Sequence, residues 1–262
     1  MLTAGCEDLT ARAERSARTA GFRTTVVAGA RYQHEIFERR SPSDENLYVF
    51  VEGDGAPWSA GGTRISRDPT PRRPLGLALA LRTPGTVLYL GRPCYFAART
   101  DSACTTSLWT SERYSAAVVE SLAAVVNRYT TTNTPRRVVL VGYSGGGTLV
   151  ALMTSRITVP TAIVVIAGNL DVGAWTEWHG YRPLVGSLNP ATQAPLNSTL
   201  PQWYLVGDRD ENVPERINHR YLDHVNPARI WRFPDFDHVC CWVDEWPRVL
   251  SRIQTTIGDH AP

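Results

Sequence analysis

Short apolar runs recur along this chain at the spacing of strands parted by helices. Residues 47–51 (Leu-Tyr-Val-Phe-Val), 87–90, 137–141, 161–167, 202–206 and 228–233 each predict a strand. Runs with little alternation suit strands covered on both faces. Residues 22–27 and 31–37 are rich in β-formers, and Ala28-Gly29-Ala30 parts them, so an opening β-hairpin is expected. Over 114–129, Val118, Leu122, Val125 and Val126 fall on one helical face. Helices are also predicted over 75–81, 145 to about 155, 214 to about 225, and 242 to about 257. Residues 1–20 are polar and predict an N-terminal arm or helix. The stretch 56–74, rich in Pro, Gly and Arg, predicts loop, and 168–200 holds turn residues and tryptophans with little pattern. Alternation of this kind builds an α/β domain: a mostly parallel sheet with helices on both faces. Ligands of such sheets sit beyond the carboxyl ends of the strands, so the residues after each strand are where chemistry is sought.

Composition narrows the picture. The 262 residues suit one large domain over 21–262. Hydrophobic residues at 43% and charged residues at 20% supply an ordinary globular core. A net charge of +2, with the arginines scattered, lacks the concentrated basic face of a nucleic-acid binder. No apolar run is long enough to span a membrane. Of the five cysteines, Cys6 follows Leu2-Thr3-Ala4-Gly5, like the end of a bacterial lipoprotein signal, without that signal's charged and apolar parts. Cys94, Cys104, Cys240 and Cys241 can pair fully in an oxidising compartment. Either Cys94 joins Cys104, leaving Cys240 and Cys241 as a vicinal bridge or reduced, or the two loops are crosslinked. No cysteine or histidine spacing makes a zinc site, so no metal is expected.

Gly142-Tyr143-Ser144-Gly145-Gly146 fits G-x-S-x-G and sits between a predicted strand and a predicted helix. A sharp turn there leaves Ser144 exposed above a helix start, whose N–H groups favour developing negative charge. The glycines remove side chains that would collide across the turn. A serine hydroxyl needs a base. His238 follows the last strand; His219 and His224 fall in a predicted helix, His260 in the tail and His34 on an early strand. Asp208 and Asp210 both follow strand 202–206 and could orient the histidine. Two backbone donors for an oxyanion are expected from Gly145 and from the loop Glu52-Gly53-Asp54-Gly55. Within that loop Gly53 and above all Asp54 are the candidates, Asp54 through its backbone and not its carboxylate.

These motifs resemble the α/β-hydrolase superfamily over nearly the whole chain. Gly142 to Gly147 matches its nucleophile elbow. Gly207-Asp208-Arg209-Asp210-Glu211-Asn212-Val213-Pro214 is similar to its G-x-x-D-x-x-V-P segment, which selects Asp210, and Asp237-His238 matches its histidine loop. Glu52 stands where that family's H-G-x-G loop has histidine. More narrowly, Arg92-Pro93-Cys94-Tyr95, Trp109-Thr110, Arg113-Tyr114-Ser115, Gly168-Asn169-Leu170-Asp171, Gly186 to Pro190 and His238 to Trp242 resemble a group of bacterial α/β-hydrolases with lipoprotein-type signals. The resemblance implies a lid-like segment at about 168–200, with Tyr143, Trp175, His179 and Trp242 as pocket candidates. From the three residues themselves, hydrolysis of a small-molecule or lipid-like carboxylic ester through an acyl-enzyme on Ser144, with no cofactor, is expected, since no substrate comes from the resemblance. The resemblance further implies lipidation at Cys6 and a place in the cell envelope or periplasm; with Met1 as the true start, the cytoplasm would be expected instead. An acyltransferase, thioesterase or peptidase on the same three residues, or an envelope-anchored binding protein without turnover, are the alternatives.

Overall fold

The computed structural model describes residues 8–42, 44–159 and 161–258; Cys6 and its proposed lipidation lie outside them. Ten strands are described: β1 (Arg23–Ala28), β2 (Gln33–Arg39), β3 (Asn46–Val51), β4 (Trp58–Ser59), β5 (Arg64–Ile65), β6 (Thr86–Leu90), β7 (Arg137–Tyr143), β8 (Thr161–Ile166), β9 (Gln202–Gly207) and β10 (Ile230–Phe233). Eight of them form one sheet in the order β1-β2-β6-β3-β7-β8-β9-β10. β1 pairs antiparallel with β2, as the hairpin predicts, and β2 antiparallel with β6; every pair from β6 to β10 is parallel.

The α-helices are α1 (Leu9–Thr19), α2 (Leu75–Arg82), α3 (Ala116–Asn133), α4 (Gly145–Met153), α5 (Val172–Trp178), α6 (His219–Leu222) and α7 (Trp242–Gly258). α2 packs with α7, and α3 with α4, flanking the sheet in two layers. Every residue of β8 and β9 is buried, and β7 is buried from its second residue on. That is why these strands carry no polar alternation: each buried Val, Leu or Ile side chain contributes about 1.5–3 kcal/mol. On α7, Trp246, Val249, Leu250, Ile253 and Ile257 are buried, a stripe at helical spacing. Trp246 packs edge-on against Phe50 and donates its indole N–H to Thr83 Oγ1 at 2.7 Å, fixing α7 to the end of α2.

Some boundaries differ from the sequence expectation for local reasons. α3 begins at Ala116 because the Ser115 hydroxyl caps it, accepting from Val118 N. The expected helix 214–225 is a 3₁₀ turn (Glu215–Asn218) followed by the short α6. β10 starts at Ile230, since Asn226 and Pro227 initiate a tight turn first. The 56–74 loop contains the β4–β5 pair, and the 168–200 segment contains α5, capped by Asp171. Disulfides join Cys94 to Cys104 and Cys240 to Cys241, which is the uncrossed pairing.

Candidate active site

β7 delivers Ser144 at its carboxyl end, beyond the partners Val51 of β3 and Ile166 of β8. Ser144 has φ 52° and ψ −122°, a left-handed conformation that only a firmly held non-glycine residue adopts. Its own N–H bonds to Ile166 O at 2.9 Å, and its carbonyl accepts from Gly147 N at 2.8 Å. The flanking glycines are needed for close approach. A Cβ on Gly142 would strike the Gly146 carbonyl, and one on Gly146 would strike the Val51 carbonyl.

The candidate base and acid arrive from the last two strands. His238 Nε2 lies 3.0 Å from Ser144 Oγ, and His238 Nδ1 lies 2.8 Å from Asp210 Oδ2. The other Asp210 oxygen accepts from the N–H groups of Asn212 (2.9 Å) and Val213 (2.7 Å), so the turn after β9 aims the carboxylate. With Asp210 acting as acceptor throughout, Nδ1 is the donor and Nε2 presents its lone pair to the serine. The Asp210 side chain is 1% exposed and that of His238 17%, so the pair is sheltered while the imidazole edge reaches the cleft. The His238 carbonyl accepts from the Tyr143 hydroxyl (3.0 Å) and from the Trp242 indole (3.2 Å). Asp208, the other sequence candidate, is exposed and takes no part in this arrangement.

The N–H groups of Gly145 and Asp54 have no acceptor among the described residues and flank Ser144 from α4 and from the loop after β3. Gly53, the further donor candidate, is corrected by the structure: its N–H donates to Glu52 Oε1 at 3.1 Å. Its contribution is clearance, because a Cβ there would sit 3.3 Å from Ser144 Cβ. Glu52 does not replace the family's histidine in any direct contact with Ser144. It accepts from Gly76 N and Leu77 N at the start of α2 and from the Tyr89 hydroxyl, in a fully buried position that pushes its carboxyl pKa up.

The Asp54 carboxylate has a role that the sequence did not reveal. Oδ1 accepts from Arg92 Nη1 (2.6 Å) and Oδ2 from Arg113 Nη1 (2.8 Å), and the Tyr114 hydroxyl lies 2.8 and 2.7 Å from the two oxygens. The Asp54 carbonyl accepts from the Tyr95 hydroxyl at 2.8 Å. Burial alone would raise this carboxyl's pKa, but Arg113 and Arg92 outweigh burial and hold it well below the usual carboxylate range. The side chain thus clamps a backbone segment that lines the same cleft as the serine and whose N–H is uncommitted among the described residues. All four partners come from the 91–115 segment, within which Cys94 and Cys104 are bridged. A Cβ on Gly145 would collide with this carboxylate, so the clamp and the elbow are in direct contact.

Ser144, Gly145, Asp54 and His238 open into a cleft of about 940 Å³. Tyr143 and Trp175 line it, as expected. His179 and Trp242 do not. His179 stacks on Tyr181 and bonds through Nε2 to Asn212 O at 2.8 Å, behind the wall. Trp242 is 2% exposed and packs against Phe233 and Phe236 beneath the histidine loop. Asn169, which follows β8, also lines the cleft; it is 2% exposed, and neither Oδ1 nor Nδ2 has a hydrogen-bond partner among the described residues. Its place just after β8 and its presence in the resembling segment Gly168-Asn169-Leu170-Asp171 were the sequence signals that could have found it. Among the described residues no group of His, Cys, Asp and Glu is placed to hold a metal ion.

No protein-family model matches the sequence, and no curated protein matches it. Solved structures do resemble it. A protein from Agrobacterium vitis S4 is 17% identical, with a TM-score of 0.61 over 88% of this chain and 98% of that one. The α/β serine hydrolase XC6422 from Xanthomonas campestris is 12% identical, with a TM-score of 0.56 over 92% and 95%. Carboxylesterase CesB (YbfK) from Bacillus subtilis is 10% identical, with a TM-score of 0.59 over 97% and 99%. These likenesses establish the α/β-hydrolase fold.

Proposed function

We propose that the protein is a serine hydrolase that cleaves carboxylic esters through an acyl-enzyme on Ser144. One observation carries this reading: Asp210, His238 and Ser144 form a continuous hydrogen-bonded chain ending beside two uncommitted backbone N–H groups. His238 Nε2 takes the proton of Ser144 as Oγ bonds to the ester carbonyl carbon. Negative charge moves to the carbonyl oxygen, where the N–H groups of Gly145 and Asp54 receive it. Asp210 stabilises the imidazolium and keeps Nδ1 as donor. His238 then protonates the departing alkoxide, and the C–O bond breaks to leave the acyl-serine. Water repeats the sequence with His238 as base, releasing the acid and restoring Ser144. Each backbone donor is expected to contribute about 3–4 kcal/mol of transition-state stabilisation. The 168–200 segment, through Trp175 and Tyr181, walls the cleft where the fold's lid would lie.

The test is labelling by a fluorophosphonate probe together with turnover of short nitrophenyl esters, in wild type and Ser144→Ala. Wild type should label and turn over, and the variant should lose labelling and roughly 10⁴-fold in kcat. A folded wild type that neither labels nor hydrolyses any ester would instead support a binding protein of the same fold. Acyl transfer to an added amine or alcohol in preference to water would favour a transferase on the same residues.

A further inference from the structure

All 27 basic residues of the chain are arginine, and four of them, Arg72, Arg73, Arg113 and Arg182, line the cleft that holds Ser144. Glu52 and Asp54 are the acids on that lining, and neither presents a free charge to it. Glu52 is buried against the start of α2. Asp54 is shared between Arg92 and Arg113, so one carboxylate faces two guanidinium groups and the cluster keeps a net charge of +1. Arg113 spends Nε on Thr110 O (2.6 Å) and Nη1 on Asp54. Its Nη2 has no acceptor among the described residues and is not enclosed either. Arg72, Arg73 and Arg182 are exposed and make no ion pair with a described residue.

An uncompensated positive cleft with low-dielectric walls concentrates anions. The walls here are apolar: Trp58, Tyr181 and Val185 are 46%, 56% and 76% exposed and border the same space. Exposed aromatic and aliphatic surface beside unpaired arginines suits a molecule with an apolar body and a negative group.

We propose that the substrate is an anionic ester, one that carries a carboxylate, sulfonate or phosphate group besides the carbonyl attacked by Ser144. Arg113, Arg72, Arg73 and Arg182 receive the negative group, and Trp58, Tyr181 and Val185 receive the apolar part. The idea rests on Ser144 chemistry but is separable from it. Carboxylate and sulfonate are the shared chemistry's simplest forms, and a phosphate-bearing ester distinguishes a lipid-like source.

The experiment compares kcat/KM for related esters with and without a negative group: acetoxybenzoate against its methyl ester, acetoxybenzenesulfonate and acetoxyphenyl phosphate against the same neutral ester, and mono-nitrophenyl adipate against its methyl ester. Each ratio is corrected for the spontaneous hydrolysis of the same pair. Together they place the charge on the alcohol side and on the acyl side. At low ionic strength the anionic member of at least one pair should be favoured by roughly tenfold or more. The advantage should shrink at high salt. It should fall towards one in the Arg72→Gln/Arg73→Gln/Arg182→Gln protein, with Arg248→Gln, an exposed arginine outside the cleft lining, as a control that keeps it. A ratio at or below one for every pair in wild type overturns the proposal, and so does a ratio that the triple variant leaves intact. Either result with neutral esters still turned over leaves the ester reading standing. If no ester is hydrolysed, calorimetric binding of the same pairs to Ser144→Ala decides. Preferential binding of the anionic member supports the inference while the ester reading fails, and equal binding overturns the inference too.

Discussion

Replacing Asp54 with asparagine removes the charge that pins the loop after β3, the proposed oxyanion loop, and leaves its backbone N–H in the chain. The carboxylate holds two guanidinium groups and a tyrosine hydroxyl at 2.6–2.8 Å, and the two arginine side chains are 1% and 5% exposed. Breaking a buried ion pair from one side costs about 3–5 kcal/mol, because the orphaned charges stay behind. The amide of asparagine retains one acceptor, so a loss of stability at the lower end is expected. The catalytic loss has a ceiling, since complete loss of a backbone donor costs about 10²–10³ in kcat. A donor displaced but present should cost less, about 10–100-fold, or 1.4–2.7 kcal/mol of barrier. The loss should fall on kcat rather than KM, because the charge on the oxyanion exists only in the transition state. Tyr114→Phe, which deletes one hydroxyl and keeps the ring, should move kcat the same way by a smaller factor and cost about 1.5–3 kcal/mol of stability. Since Asp54 is held below its ordinary value of 3.8, its contribution is complete at neutral pH and is lost only as the pH falls below that value. The assay is steady-state ester hydrolysis, with unfolding by denaturant on the same samples. A folded Asp54→Asn protein with wild-type kcat would refute the claim that this side chain holds the donor.

Two further outcomes are expected. Asn169→Leu removes a buried amide without partners, so stability should hold or rise by about 1 kcal/mol while kcat/KM falls; a drop of more than about 2 kcal/mol in denaturant unfolding would mean that the amide is satisfied internally. Burial, partly offset by the bond to the Gly91 carbonyl, lowers the pKa of His34 from 6.5 to about 4, and burial, partly offset by the Ala97 N–H, raises that of Glu35 from 4.5 to about 7. Stability due to His34 is therefore lost as the pH falls from 6.5 towards 4, by roughly 3 kcal/mol in all, and stability due to Glu35 is lost as the pH rises from 4.5 through 7. The two oppose each other, so between pH 7 and pH 5 His34→Gln should gain stability and Glu35→Gln should lose it. Variants with the wild-type pH dependence of Tm would show that neither group is titrating in this way.

Chain order and strand ends made Ser144 and His238 legible in the sequence, because each follows a run apolar enough to be recognised as a buried strand. The same reasoning left Asp208 and Asp210 both open, and the resemblance of 207–214 to G-x-x-D-x-x-V-P selected Asp210. The fold was legible from the same apolar runs. The Asp54 clamp was not: its partners lie 38, 59 and 60 residues away, in loops with no periodicity, and the contact exists only once β3 and β6 are paired. Arg92, Arg113 and Tyr114 stood out as pieces of a resemblance without a reason attached to them. His179 and Trp242 show the opposite failure. Aromatic residues near the nucleophile suggest a pocket, yet burial claimed Trp242 for the core and a backbone carbonyl claimed His179. The broken helix at 214–225 follows from short-range competition, since Pro214 and the Asp210 turn set its start before any long apolar face can form.

The strand order also sets a lateral distance. Three inter-strand steps separate β7 from β10, about 14 Å across the sheet, yet the imidazole of His238 ends 3.0 Å from Ser144. Residues 234–238 therefore run sideways over the ends of β8 and β9, and the crossing is moored along its way: Phe236 O to Arg209 N at 3.0 Å, Trp242 to the carbonyls of Asp237 and His238, and Tyr143 to the same His238 carbonyl. The imidazole is thus suspended like a bridge deck, with one pier on its own strand and the far one on the strand that carries Ser144. Because Tyr143 is that far pier, the residue beside the serine sets the span of the imidazole as well as walling the cleft.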